Sequence, residues 1–258
     1  MALQLRAKKK RDEHGLFLIE GERELERAIE AGLQFEFVLA DKSQVQDSFR
    51  TELLGHIVSV SDSELVYVDK SILRMVCYRG TSSKLVGIAH KFPLELSRLK
   101  VTENYLVLIA VGLEKPGNLG SVLRSADASG IDAVIVCDQV TDVFNPNVVR
   151  SSLGTVFSVP VALAEREEAL SWSGKHGLCL VASTPFGKKI YSDIDYTKAT
   201  AIVVGSESKG LDDVWFESAD EVVHLPQLGQ SDSLNAAMTA TVMLFEARRQ
   251  RDLGCGRN

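Results

Sequence analysis

The sequence lacks the features of membrane and secreted proteins. Its longest uninterrupted apolar run, Tyr105 to Val111, is far shorter than the ~20 residues that span a bilayer. The N-terminal residues lead at once into a basic cluster, without the apolar stretch and small-residue cleavage site of a signal peptide. We therefore expect no membrane segment and a cytoplasmic protein.

The sequence also lacks a pattern that would bind a metal. The cysteines Cys77, Cys137, Cys179 and Cys255 are widely separated, and none forms a C-x-x-C pair or stands at ligand spacing from a histidine. We interpret them as buried free thiols. The five histidines form no H-E-x-x-H pattern. No metal site is expected.

A large excess of positive charge is absent as well. The net charge is −6, which argues against a protein that coats nucleic acid by bulk electrostatics. Residues up to Glu103 hold equal numbers of basic and acidic side chains, and the acidity lies in the remainder. The 45% hydrophobic content predicts an ordinary buried core.

The length of 258 residues favours two domains, although one large α/β domain is the alternative, and the chain shows two different patterns. We place the boundary in the loosely patterned stretch around Pro93, which gives domains 1–97 and 98–258. The first has the pattern of a small αβ unit. Its predicted elements are strands Leu16–Glu20, Phe35–Ala40, Ile57–Val60 and Leu85–His90 and a helix Glu22–Ala31.

The second domain alternates near-continuous apolar strands with amphipathic helices. Continuous apolar runs indicate strands buried on both faces, hence an α/β fold with a mainly parallel sheet and helices on both sides. The predicted strands are Leu106–Val111, Ala133–Cys137, Leu178–Ala182, Ile202–Gly205 and Val222–Leu225.

A helix after the first of these strands carries the first candidate site residue. Asn118 can cap this helix, and Gly130 ends it. Its apolar residues fall on one stripe, and Arg124 points away from that stripe. An exposed helix arginine is usually just solvated, but open α/β sheets bind ligands at the carboxyl edge, where Arg124 follows a strand.

Two further elements follow later strands. Gly205 to Gly210 forms a glycine-rich turn, although it matches neither the dinucleotide fingerprint nor a P-loop, which disfavours a nucleotide-dependent oxidoreductase or kinase. After Leu225 and Pro226, Ser233-Leu234-Asn235 opens a long helix. Asn235 needs a polar partner because the helix face is otherwise apolar. Apolar residues of this helix at helical spacing are interpreted as core: Leu234, Met238, Val242 and Phe245.

Together these elements resemble the SpoU (TrmH-like) family of RNA ribose methyltransferases within the SPOUT class. Three motifs carry the resemblance, in matching order and spacing. They are Asn118, Gly120 and Arg124; Gly205, Glu207, Gly210 and Leu211; and Leu225, Pro226, Ser233, Leu234 and Asn235. The sequence departs from the family's pattern at two positions of these motifs: Ser208 stands where glycine is common, and Gln227 stands where methionine is common.

The resemblance implies a fold, a cofactor and partners. It implies a C-terminal SPOUT domain with a trefoil knot, a small N-terminal substrate-binding domain, a homodimer through the C-terminal domain and S-adenosylmethionine as cofactor. Cofactor contacts carried over position by position are Thr184, Gly205, Leu225, Gln227 and Leu234. Residues expected to organise catalysis are Asn118, Arg124, Glu207, Ser233 and Asn235. Candidate RNA contacts are Arg6, Lys8, Lys9, Lys10, Arg11 and Arg150.

The implied reaction is displacement of the sulfonium methyl by a ribose 2′-hydroxyl, most consistent with ribosomal RNA. The family assigns activation of that hydroxyl to the arginine matched by Arg124. Because a guanidinium keeps its proton at neutral pH, we favour a charged Arg124 that clamps a phosphate and stabilises the developing alkoxide, while another group or water takes the proton. The alternatives are a transfer RNA 2′-O-methyltransferase and a non-catalytic RNA-binding module on the same fold.

Overall fold

The computed structural model describes residues 1–44, 55–56, 63–78, 83–230 and 233–254. The helices in chain order are α1 (Lys8–His14), α2 (Glu22–Glu30), α3 (Lys70–Val76), α4 (Pro116–Ser129), α5 (Pro146–Ser151), α6 (Arg166–Lys175), α7 (Asp213–Ser218) and α8 (Ala236–Gly254). The strands are β1 (Leu16–Glu20), β2 (Phe35–Asp41), β3 (Glu64–Val68), β4 (Leu85–His90), β5 (Leu106–Val111), β6 (Ala133–Cys137), β7 (Val161–Ala164), β8 (Cys179–Ser183), β9 (Lys189–Ile190), β10 (Thr200–Val204) and β11 (Glu221–His224). Short 3-10 helices lie at Ala2–Arg6, Lys42–Gln44, Leu96–Arg98 and Tyr191–Asp193.

The chain divides into two compact units, and one of them is discontinuous. Unit 1 consists of Met1–Pro93 and Asp142–Ser158, and unit 2 of Leu94–Thr141 and Val159–Asn258. The predicted boundary between residues 97 and 98 stays a prediction. Nothing in the sequence pattern indicated that residues 142–158 return to unit 1.

Unit 1 is built on a four-stranded sheet in the order β1-β4-β2-β3. Strand β4 is antiparallel to both of its neighbours, and β2 and β3 are parallel. Every residue of β1 is buried because helices and the returning segment cover it. Rings from three parts of the unit pack together, with centroid distances of 5.0 Å for Phe17–Phe144 and 4.9 Å for Phe92–Phe144.

A buried ion pair joins helix α1 to the returning segment of unit 1. The Arg11 side chain is 1% exposed and donates from Nε and Nη2 to Asp142 Oδ2 at 2.8 and 2.6 Å. Its Nη1 donates to the carbonyl oxygens of Leu5 and Arg6, both at 2.8 Å. Asp142 Oδ1 accepts from the Phe144 backbone N–H at 3.1 Å. Both charges are therefore paired and hydrogen-bonded inside the unit.

Unit 2 is built on a seven-stranded parallel sheet in the order β7-β6-β5-β10-β8-β11-β9. The continuous apolar strands β5, β6 and β10 are buried at every position, as residues covered on both faces should be. The predicted mainly parallel α/β sheet is confirmed. Because all strands run the same way, the loops after β5, β10, β8 and β11 meet at one edge.

Helix α8 packs on α4 with the face opposite to the one predicted. Its buried residues are Ala236, Ala237, Ala240, Met243, Leu244 and Ala247. Between the two helices, Ser125 Oγ and Thr241 Oγ1 are 2.6 Å apart. The core assignment of the Leu234 to Phe245 stripe is wrong: Met238 is 60% and Phe245 47% exposed. The helical spacing correctly placed these large apolar residues on one face of the helix. That face is exposed because the opposite face, which is rich in small alanines, packs on α4.

Several sequence predictions match the observed elements residue for residue. Strands Leu16–Glu20, Leu85–His90, Leu106–Val111 and Ala133–Cys137 are confirmed at both ends. Strands β3, β7 and β9 and helix α3 were missed, and the predicted strand Ile57–Val60 lies outside the described residues. Within the described ranges, no helix is long and apolar enough to cross a membrane.

Candidate active site

The loops at the carboxyl edge of the unit 2 sheet enclose a cavity of about 340 Å³. Its walls come from the segments after β8, β10 and β11 and from the start of α8. All of the residues predicted to bind the cofactor line it: Thr184, Gly205, Leu225, Gln227 and Leu234. Ser233 and Glu207 also line the cavity. Five positions spread over fifty residues of sequence thus meet in one space.

The turn after β10 requires the glycine with which it begins, Gly205. The backbone folds back so that Gly210 N–H donates to the Ser206 carbonyl at 2.9 Å, and Lys209 N–H donates to Ser206 Oγ at 3.2 Å. A Cβ at Gly205 would lie 2.3 Å from the Gly210 carbonyl carbon, closer than atoms approach. Glycine at position 205 is therefore a steric requirement of this turn, which brings backbone groups to the cavity wall.

Glu207 is the centre of a polar cluster beside the cavity. Its Oε1 accepts from Asn118 Nδ2 at 2.9 Å and from Asn235 Nδ2, and its Oε2 pairs with Lys115 Nζ at 2.8 Å. Asn235 Nδ2 also lies 3.2 Å from Asn118 Oδ1, and Asn235 Oδ1 accepts from the Ala237 N–H at 3.0 Å, capping α8. The cluster links α4, the β10 turn and α8. The expected polar partner of Asn235 is thereby confirmed.

These contacts shift the ionisation of the two charged members. The hydrogen bond from Lys115, with that from Asn118, holds the pKa of Glu207 below its usual value of 4.5, and the same ion pair raises the pKa of Lys115 above 10.5. A carboxylate with a lowered pKa stabilises the folded state at pH values above its usual pKa of 4.5. This contribution is lost as the pH falls through the folded-state pKa. A lysine with a raised pKa stabilises the folded state at pH values below its usual pKa of 10.5. The ion pair therefore contributes its full stabilisation of the fold between pH 4.5 and pH 10.5.

We expect Glu207→Gln to cost about 1 kcal/mol of stability at neutral pH, because the ion pair with Lys115 is lost and the hydrogen bonds from the two asparagines no longer reach a charged acceptor. The difference should shrink as the pH is lowered below 4.5, since the wild-type side chain then becomes neutral as well. Thermal unfolding of both proteins over a pH series measures this. A difference that does not change with pH would contradict the prediction.

Arg124 lies outside both the cavity and the polar cluster. It is exposed on α4, six residues and about 9 Å along the helix axis from Asn118. Across the described ranges it makes no side-chain hydrogen bond or ion pair. The predicted separation from the buried stripe of Leu119, Val122 and Leu123 is confirmed. Its guanidinium is thus free to meet a ligand that approaches from solvent.

Some of the basic residues proposed as RNA contacts are exposed at the surface, and others are bound to groups of the protein itself. Lys8, Lys9 and Arg150 are exposed, and Lys10 pairs with Glu13 at the surface. Arg11 must be removed from the set, because it is buried and bound to Asp142. Arg6 donates to the carbonyl oxygens of Met75, Val76 and Cys77 at the end of α3, which gives it a structural task as well.

The residues of the site that the sequence prediction missed include Lys115 and Phe186. Lys115 binds Glu207, and its place in the loop after β5, just before Pro116-Gly117, was a usable signal. Phe186 lines the cavity and had no distinguishing pattern. No group of three metal-ligating side chains occurs in the part of the chain that the structure describes.

Comparison with known proteins identifies relatives over nearly the whole chain. Residues 105–245 match the SpoU rRNA Methylase family, and residues 2–87 match the MRM3-like substrate binding domain. The chain is 32% identical to a 23S rRNA (uridine(2479)-2′-O)-methyltransferase of Streptomyces viridochromogenes, covering 95% of this chain and 86% of that protein. It is 28% identical to the 23S rRNA (guanosine(2553)-2′-O)-methyltransferase RlmP of Bacillus subtilis, covering 95% and 93%.

Solved structures agree with this similarity. The SpoU methyltransferase AviRb from Streptomyces viridochromogenes, in complex with the cofactor AdoMet, superposes with a TM-score of 0.89 at 30% identity, covering 97% of this chain and 96% of that one. The AdoMet-bound rRNA methyltransferase from Sinorhizobium meliloti gives a TM-score of 0.87 at 30% identity, covering 96% and 92%.

Proposed function

Because the chain belongs to the SpoU rRNA methylase family, we propose that it methylates a ribose 2′-hydroxyl in ribosomal RNA with S-adenosylmethionine as cofactor. One observation carries the proposal: the predicted cofactor residues line a single cavity, and the Glu207 cluster stands beside it. Relatives named for 23S ribosomal RNA favour that substrate over transfer RNA. The proposed compartment is accordingly the cytoplasm, where bacterial ribosomes are found.

The cavity suits S-adenosylmethionine in size and chemistry. A volume of about 340 Å³ falls in the range of small-molecule sites, which are mostly apolar with a few aimed polar groups. Val204, Leu225 and Leu234 supply apolar walls, and the glycine turn supplies backbone groups. We assign cofactor contacts to Thr184, Gly205, Leu225, Gln227 and Leu234. The bound cofactor supplies a methyl group activated by a sulfonium.

The chain's own polar residues divide the remaining tasks. Glu207, Asn118 and Asn235 hold one another in place, so the wall on which the RNA ribose is to be positioned is fixed before substrate arrives. Ser233 lies at the cavity beside them. Arg124 remains charged and exposed, and it is assigned to an RNA phosphate and to the negative charge that develops on the attacking oxygen.

The exposed apolar stripe on α8 supports the proposal of a homodimer. Met238, Val242 and Phe245 are exposed apolar residues at helical spacing on α8, and Leu234, just before the helix, is exposed as well. Contiguous apolar surface of this kind usually marks an association site. The stripe faces outward from the helix pair that also carries Arg124. A second copy docked there would complete each site from both chains, as the family resemblance implies.

Met238→Lys should convert the dimer to a monomer, because a charge in the middle of the stripe would be buried without a partner. Light scattering after size-exclusion chromatography gives the mass of each species. Val140→Lys is the matched control, since Val140 is an exposed apolar residue of unit 2 outside the stripe. A wild-type protein that is monomeric at micromolar concentration would refute the proposed dimer.

A trefoil knot is proposed for the C-terminal chain on the same resemblance. A Cβ at Gly187 would lie 2.3 Å from the Val223 carbonyl carbon, so the turn after β8 packs closely on β11, the strand that precedes the third motif. A crystal structure that traces residues 183–225 along an unthreaded path would refute the knot.

The proposed activity is tested by mapping ribose methylation in total RNA from cells with and without the protein. One additional 2′-O-methyl group in 23S ribosomal RNA, present only with the active protein, is expected. A new site in transfer RNA would instead assign the second substrate class. If calorimetry detects no binding of S-adenosylmethionine, the chain is a non-catalytic RNA-binding module.

A further inference from the structure

The ring of Phe186 is presented to solvent at the cavity by a braced turn. Phe186 is 91% exposed, yet it lines the same cavity as Leu225 and Leu234. The Thr184 N–H donates to the Val223 carbonyl at 2.9 Å, and the Gly187 N–H donates to the Thr184 carbonyl at 3.3 Å. The turn is therefore fixed to strand β11 on one side and closed on itself on the other.

The residue after Phe186 leaves the turn little room to move. A Cβ at Gly187 would lie 2.5 Å from the Val223 carbonyl oxygen and 2.7 Å from the His224 nitrogen, so the backbone there is already in tight contact with β11. The exposed ring thus stands on a backbone held from both ends. An exposed aromatic ring on a held backbone at the edge of a cavity is available to a flat partner.

The place of Phe186 after strand β8 indicates which part of the cofactor it would contact. The cluster of Asn118 and Glu207 follows β5 and β10, whereas Phe186 follows β8, and the sheet order is β5-β10-β8. Phe186 is two strand spacings, about 10 Å, from the β5 end of the site. The reacting ribose belongs at the cluster, so the part of the cofactor farthest from the transferred methyl belongs at Phe186.

We propose that Phe186 stacks on the adenine of S-adenosylmethionine and closes the β8 side of the cavity. This inference rests on the proposed function, since it assigns a contact within that cofactor site. Adenine is the flat end of the molecule and can stack on the ring over its whole area, whereas the amino-acid end carries, beside its ammonium, a carboxylate that the negative face of an aromatic ring repels. A base stacked on an aromatic side chain adds measurable affinity, and the held backbone of the turn lowers the cost of placing the ring.

The test is calorimetric titration of S-adenosylmethionine into wild type, Phe186→Ala, Phe186→Tyr and Leu228→Ala. Phe186→Ala should weaken binding by about 10- to 100-fold, whereas Phe186→Tyr should remain close to wild type because the ring plane is kept. Leu228→Ala is the matched control, because Leu228 is a fully exposed apolar residue on the loop after β11 that does not line the cavity. Thermal unfolding should be unchanged in all variants because these side chains are exposed.

A second ligand locates the contact within the cofactor. 5′-Methylthioadenosine keeps the adenine and lacks the amino-acid end, so it should show the same fold-loss in Phe186→Ala. If that loss appears only with S-adenosylmethionine, the ring contacts the amino-acid end and the inference is wrong. Unchanged cofactor affinity with weakened RNA binding would also overturn it and assign the ring to an RNA base. A wild type that binds no cofactor would instead refute the proposed function.

Discussion

Replacing Arg124 by alanine should lower the rate of methyl transfer by about 100- to 1000-fold, the effect of removing one group that stabilises a developing oxyanion. Arg124→Lys should recover part of this loss, because an ammonium restores the charge without the guanidinium geometry. Affinity for S-adenosylmethionine should not change in either variant, since Arg124 does not line the cavity. Single-turnover transfer to ribosomal RNA and calorimetry with the cofactor measure the two properties separately.

The comparison of the two variants discriminates between roles for Arg124. Equal and complete loss in both would contradict a purely electrostatic role and favour one that depends on guanidinium geometry or deprotonation. Arg98→Ala serves as control, because Arg98 is another exposed arginine of unit 2, on the 3-10 helix after Pro93. Loss of cofactor affinity in Arg124→Ala would assign the residue to the shape of the pocket instead.

Asp142→Ala should destabilise unit 1 by about 3–5 kcal/mol, since it leaves the buried guanidinium of Arg11 without its partner charge. The melting temperature should fall by on the order of 10 °C. The double variant Arg11→Met/Asp142→Leu removes both charges and should recover most of the loss, because no charge then remains buried and unpaired. Thermal and denaturant unfolding measure both quantities.

The exposed pair of Lys10 and Glu13 is the matched control for this prediction. It lies on the same helix α1, with Nζ and Oε2 2.7 Å apart, but in contact with solvent. Lys10→Ala should change stability by less than about 1 kcal/mol. If Asp142→Ala costs no more than Lys10→Ala, the buried pair does not stabilise the unit as proposed.

Five of the seven strands of unit 2 could be predicted from the sequence, because most of them are continuous apolar runs between clear breaks. Strand β7 was missed because Val161–Ala164 is short and follows a proline. The face of α8 was misassigned because periodicity places side chains on a stripe but does not say which stripe meets the protein. Alanines at the α4 contact carry little hydrophobic signal, although they permit the closest approach.

The site was predictable where a backbone constraint or a motif exposes its chemistry. Asn235 stood out because its amide needed a polar partner, which the structure provides. Gly205 was singled out as part of a glycine-rich turn that lets the backbone approach a ligand, and the structure adds a steric reason for this glycine. Arg11 could not be separated from its neighbours in the basic cluster, because its partner Asp142 lies 131 residues away. Long-range pairing of this kind leaves no local trace.

The discontinuity of unit 1 limits how this protein could be recombined with its relatives. A chimera that exchanges only residues 1–93 would separate Phe17 and Phe92 from Phe144, and Arg11 from Asp142. A transplant that carries 142–158 along keeps these contacts within one parent. We therefore expect a chimera that exchanges both segments of unit 1 to fold, and one that exchanges residues 1–93 alone to be destabilised.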